Sequence, residues 1–171
     1  MDDGAHLGAM VGSKAPQPGG AEGRLVELGV QLPAAPTPLG SYVEAVQTGN
    51  LLFMSGMLPI VDHKPKYVGR VGKELDVEAA RDATYTAALN ALATAKAYLG
   101  SLDRIARVVR LGVFIATSGD FFDQPRVADA ASDLFQSVFG VEKMAVRSVI
   151  GVASLPLGLP IELEVTFEVT E

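Results

Sequence analysis

The run IELEVTFEV, Ile161 to Val169, alternates without a break. Ile161, Leu163, Val165, Phe167 and Val169 fall on one side, and Glu162, Glu164, Thr166 and Glu168 on the other. Successive side chains of an extended strand point to opposite faces, so this run is a strand with one face on a core and one polar face. A strand of that kind needs a sheet beside it and an apolar layer over it. The cover is legible upstream. DVEAARDATYTAALNALATAKAYLG places Ala80, Ala87, Leu92, Ala95 and Leu99 on one broad stripe with Tyr85, Ala88 and Leu89 beside them. Asp76 stands at the N-cap, Glu78 in the first turn and Gly100 at the stop. A second helix is expected from Gln124 to Phe139, with Pro125 in its first turn and Gly140 at its end.

The other segments read as strands and connections. SYVEAVQTGNLLFMSGMLPI forms a hairpin through Thr48-Gly49-Asn50. RIARVVRLGVFIAT carries arginines at 104, 107 and 110, a helical spacing, yet its β-branched content and the preceding Gly100-Ser101 favour a strand. AVRSVIGVAS is a fifth strand, and VDHKPKYVGRVGKEL holds a short edge strand near Lys66 to Val71. A short helix ends near Gly29, and QLPAAPTPLG, with three prolines, is extended or looped. The expected architecture is an α+β sandwich, a mixed sheet of about six strands with two helices on one face. Residues 1–20 form a flexible tail and residues 21–171 a single domain.

Composition excludes several chemistries. The chain has 171 residues, a formal net charge of −6 and no cysteine. Disulfides, thiol nucleophiles and cysteine-held metals are therefore out. His6 and His63 stand far apart without spaced partners, so no histidine metal site or Ser-His-Asp triad is expected. The acidic balance leaves nucleic acid an unfavoured partner, and RIARVVR, with three cations and no interleaved aromatics, does not change that. No apolar run reaches a membrane span, and the acidic start lacks a signal-peptide pattern, so a cytoplasmic protein is expected. Phe121, Phe122, Phe135 and Phe139 read as core or interface.

One cation interrupts the apolar stretch MAVRSVIGVASLPLGLPIELEV. Period two puts Arg147, Val149 and Gly151 on one face and Val146, Ser148, Ile150 and Val152 on the other, which is taken as the core face. Arg147 is then expected on the outer face, where Glu162 and Glu164 also point. If the two strands pair as an antiparallel hairpin, an ordinary cross-strand ion pair worth about 0.2–1 kcal/mol accounts for the arginine. A guanidinium also fits the two oxygens of a ligand carboxylate or phosphate. Spacing alone leaves both open.

LGSYVEAVQTGNLLFMSGMLP, RVVRLGVFI and VRSVIGVASLPLGLPIELEV together resemble the Rid/YjgF family of reactive-intermediate (enamine/imine) deaminases, whose members also carry the name endoribonuclease L-PSP. The resemblance runs from about Leu39 to Thr170 and is closest to a divergent branch with a longer N-terminus. It implies a chorismate-mutase-like fold and a homotrimer with pockets between subunits. It also implies cofactor-free hydrolysis of small 2-imino acids, with no metal. Carried onto this chain, Arg147 clamps the substrate carboxylate, Glu162 lies near the attacking water and Tyr42 reaches the pocket. Ser55, Gly56, Ser148 and Val149 line it. Met57 stands where members usually have Gln, Val149 where many have Cys, and Asp129 or Ala128 where an Asn is common. A trimer that binds a small carboxylate or 2-oxo acid without turnover is the alternative, with an endoribonuclease third.

Overall fold

The computed structural model describes residues 19–171. The expected tail, residues 1–20, lies outside the described residues except for its last two. The chain runs α1 (Ala21–Glu27), β1 (Ala45–Thr48), β2 (Leu51–Met54), β3 (Ile60–Val61), β4 (Lys64–Pro65), α2 (Val77–Leu99), β5 (Ile105–Ala116), α3 (Gln124–Phe139), β6 (Val146–Val152) and β7 (Ile161–Val169). Five strands form one sheet in the order β1-β2-β7-β5-β6, and β3 and β4 form a separate two-stranded ribbon. All neighbours in the large sheet are antiparallel except β5 and β6, which are parallel. No described helix is long and apolar enough to cross a membrane.

The core lies between the sheet and α2 and α3. Leu163, Val165 and Phe167 of β7 are buried against them, as the alternation requires. Phe167 packs with Phe135 and Phe139 of α3 in a cluster of three rings whose centroids lie 6.1–6.4 Å apart. Phe122, by contrast, is exposed. On α2, Ala80, Ala87, Ala88, Ala91 and Ala95 are all fully buried, and their small side chains let the helix approach the sheet closely. Asp76 caps α2 by accepting a hydrogen bond from the Ala79 amide at 2.8 Å, and Gly100 ends it in the left-handed region at φ 81°.

Three expectations are corrected. The sheet has five strands rather than six. Residues Lys66–Val71 are not a strand; the ribbon forms upstream, turning through Asp62 and His63, both at positive φ, and Pro65 marks its edge. Most consequentially, β6 does not pair with β7. β5 lies between them, paired to both along most of its length. The hairpin that would have joined Arg147 to Glu162 or Glu164 is therefore absent.

The arginine spacing in β5 has a structural origin. Against β7 the register slips between Ile105 and Arg107 and again between Val108 and Arg110, so each slip inserts one extra residue. Two bulges turn a period of two into an apparent period of three. Arg107 and Arg110 thereby share the polar face, where they approach Glu168 at 3.9 Å and Glu164 at 3.7 Å.

Candidate functional site

Directly paired residues in a sheet point to the same face. Arg147 pairs with Leu111 and Val149 with Val113, both buried toward the helices. The phase of β6 is thus the reverse of that expected. Arg147, Val149 and Gly151 face the helix side, while Val146, Ser148, Ile150 and Val152 join the outer face. Val146 and Ile150 are accordingly 71% and 45% exposed. The lure was the run of apolar residues on both faces of an edge strand, where periodicity carries no phase.

Arg147 reaches α3. Its Nη1 donates to Asp129 Oδ1 at 2.7 Å and to Ser132 Oγ at 3.0 Å. Asp129 and Ser132 are three residues apart, and therefore on one helix face. The Arg147 side chain is 27% exposed and that of Asp129 49%. The sequence marks Asp129 only as one of two positions where an asparagine is common, and carries no signal for Ser132. No pattern linked α3 to β6 before the parallel pairing was known.

Glu162 stands on the opposite face of the sheet, paired with Phe114 of β5. Its carboxyl lies against Gly56; a Cβ there would fall inside it, which is why this position has no side chain. Burial pushes the Glu162 carboxyl above the usual range, and the neighbouring Glu164 pushes it further. Ser55 donates its hydroxyl to the Val43 carbonyl at 2.6 Å and its amide to the Glu44 carbonyl at 2.9 Å, so it extends the β1–β2 hairpin. Tyr42 accepts the Leu39 amide on its hydroxyl oxygen at 3.0 Å, which leaves the phenolic proton available.

Beside these residues is a cavity of about 200 Å³. Its walls are the proline-rich run from Pro33 to Thr37, Tyr42 and Glu44, Gly56 and Met57, and the tip of the ribbon at Asp62 and His63. Burial raises the Glu44 carboxyl as well. Asn90 of α2 shapes the wall by donating to the Leu58 and Ile60 carbonyls at 2.8 and 2.9 Å. Glu44, His63 and Asn90 were not foreseen as lining residues. Asn90 was visible as a polar residue in an apolar helix; the other two depend on loop geometry.

The expected residues thus form two groups. Tyr42, Ser55, Gly56 and Glu162 gather at one end of the sheet beside the cavity. Arg147 and Val149 lie on the far edge strand, and Ser148 on its other face. From strand spacing and rise, the Glu162 and Arg147 Cα atoms are roughly 14 Å apart with the sheet between their side chains. Among the described residues no group of histidine, aspartate and glutamate is arranged to hold a metal.

Comparison with known proteins identifies the family of the chain. Residues 22–163 match the family profile described as "YjgF/chorismate_mutase-like, putative endoribonuclease". The chain is 41% identical to Protein TCP17 of Trypanosoma cruzi over 145 residues, covering 84% of this chain and 91% of that protein. It is 32% identical to a 2-iminobutanoate/2-iminopropanoate deaminase of Dermatophagoides farinae over 136 residues, covering 79% and 91%. Among solved structures, a "putative endoribonuclease" of Shewanella oneidensis MR-1 superposes with a TM-score of 0.84 at 30% identity, covering 88% of this chain and 99% of that one.

Proposed function

We propose that this chain, which belongs to the YjgF/chorismate-mutase-like family, hydrolyses small 2-imino acids and their enamine tautomers in pockets between the subunits of a homotrimer. The observation that carries the reading is Arg147: a guanidinium at the sheet edge with one nitrogen held by α3 and its Nε and Nη2 without a partner among the described residues. That free edge offers two parallel N–H donors, the geometry that grips one carboxylate. The deaminase relative adds weight at the level of reaction class.

The chemistry needs a held substrate, a water and a proton carrier. With the carboxylate on Arg147, water adds to the imine carbon, and a proton passes to the imine nitrogen through Glu162. The tetrahedral carbinolamine then expels ammonia, and the C=O of the 2-oxo acid forms. A carboxyl held above its usual range keeps its proton to higher pH than a free carboxylate, which suits Glu162 to pass one on. Tyr42, with its phenolic proton free, is the second donor.

Assembly into a trimer is part of the same proposal. One chain separates Arg147 from Glu162 and Tyr42, and a neighbouring chain reunites them if its edge strand docks beside the cavity. The outer sheet face also leaves Val46, Phe53, Val146 and Ile150 exposed, an apolar area suited to burial between copies.

Binding without turnover is the second reading, favoured by Met57 and Val149. Met57 lines the cavity and Val149 is expected to line the pocket, and both are apolar where a Gln or Cys is common. A coupled assay separates the two: an amino-acid dehydratase generates the imine, and ammonia release is timed with and without this protein. Acceleration is expected, and it should vanish in Arg147→Ala. Arg147→Lys keeps the charge but loses the fork, and should weaken 2-oxo acid binding by about 10- to 150-fold. No acceleration for any imine, with 2-oxo acid binding intact, would leave the binding protein.

A further inference from the structure

We propose that Asp129 sets the charge of the ligand that Arg147 accepts, making the site selective for monocarboxylates over dicarboxylates. This rests on the reading that Arg147 grips a ligand carboxylate. A guanidinium carries five N–H groups in a planar fork. Here both protons of Nη1 are engaged by α3, one by Asp129 Oδ1 at 2.7 Å and one by Ser132 Oγ at 3.0 Å. The contacts fix which edge of the fork remains: Nε and Nη2, side by side. A carboxylate bound there lies across one guanidinium group from the Asp129 carboxylate.

Two consequences follow. The Arg147–Asp129 pair is neutral overall, so one incoming carboxylate brings the cluster to a net charge of −1. A ligand with a second carboxylate brings it to −2, with Asp129 repelling both groups at short range. The pair is also partly open to water, at 27% and 49% side-chain exposure, and exposed pairs of this kind contribute little to stability. Its effect is therefore read in binding rather than in folding. Ser132 keeps Nη1 engaged when the charge of Asp129 is removed, so charge and position can be separated by substitution.

The experiment measures 2-oxobutanoate and 2-oxoglutarate binding by titration calorimetry. The samples are the full-length protein, Asp129→Asn, Asp129→Ala and Arg147→Ala, each checked for parent-like circular dichroism and size. Asp129→Asn keeps an acceptor for Nη1 and removes the charge. It should bind 2-oxobutanoate about 3- to 10-fold more tightly and 2-oxoglutarate about 10-fold more than that, with the gain shrinking at high salt. Asp129→Ala, which loses the acceptor, should fall short of the Asn variant for both acids. An unchanged preference between the two acids in Asp129→Asn, while Arg147→Ala loses binding, overturns the role of Asp129 and leaves the carboxylate clamp standing. Parent protein that binds neither acid, or binds both as Arg147→Ala does, overturns the clamp and this inference with it.

Discussion

Glu162 loses water on one side to Gly56 and meets Glu164 on the other, so its neighbours disfavour the charged form. A carboxyl whose value is raised by folding binds its proton more tightly in the native state than in the unfolded chain. Its contribution to stability is complete below the ordinary carboxylate range and is lost as pH climbs through the raised value. Glu162→Gln removes that dependence. The variant should therefore be the more stable protein near neutral pH, and its advantage should close as pH falls below the ordinary carboxylate range. Urea midpoints measured across a pH series at fixed protein concentration provide the check. A parent that gains on the variant as pH rises would place a cation against Glu162 in the assembled protein.

At the scale of elements, the sequence constrained most strongly what local physics decides. β7 followed from its alternation, and α2 from its stripe and caps. Asp76 carries a measurable share: Asp76→Ala removes the bond from the Ala79 amide and should cost about 1 kcal/mol, seen as a lower urea midpoint with an unchanged slope. Asp76→Asn should recover most of it. What eluded local reading were features set by distant partners. The phase of β6 was ambiguous because Val146 and Ile150 on one face and Val149 on the other are all apolar. Only its parallel pairing with β5 fixes Arg147 on the helix side. The bulges in β5 made a strand look helical, since a period of three is indistinguishable from half of a helix pattern until β7 is laid beside it. The candidate residues were thus named through motif resemblance, whereas their mutual placement was not legible: Arg147 is expected on the same face as Glu162, and lies on the other.

For the molecule as a whole, that separation makes a sharp test of assembly. Tyr42, Gly56 and Glu162 belong to one end of the sheet and Arg147 to the opposite edge strand, so the proposed site would take Arg147 from one chain and Glu162 from its neighbour. Arg147→Ala and Glu162→Gln chains should each be inactive alone. Refolded together in equal amounts, they form mixed rings in which some interfaces combine an intact Arg147 with an intact Glu162. Random mixing in a closed head-to-tail ring leaves about a quarter of the interfaces fully intact, so about a quarter of the parent activity should return. Light scattering should give about three chain masses for parent and mixture alike. If both variants are trimeric and exchange subunits, yet the mixture stays inactive, the two residues work within one chain or not together. A stable monomer that hydrolyses the imine at the parent rate would exclude the shared pocket altogether, because the sheet stands between Arg147 and Glu162 in a single chain.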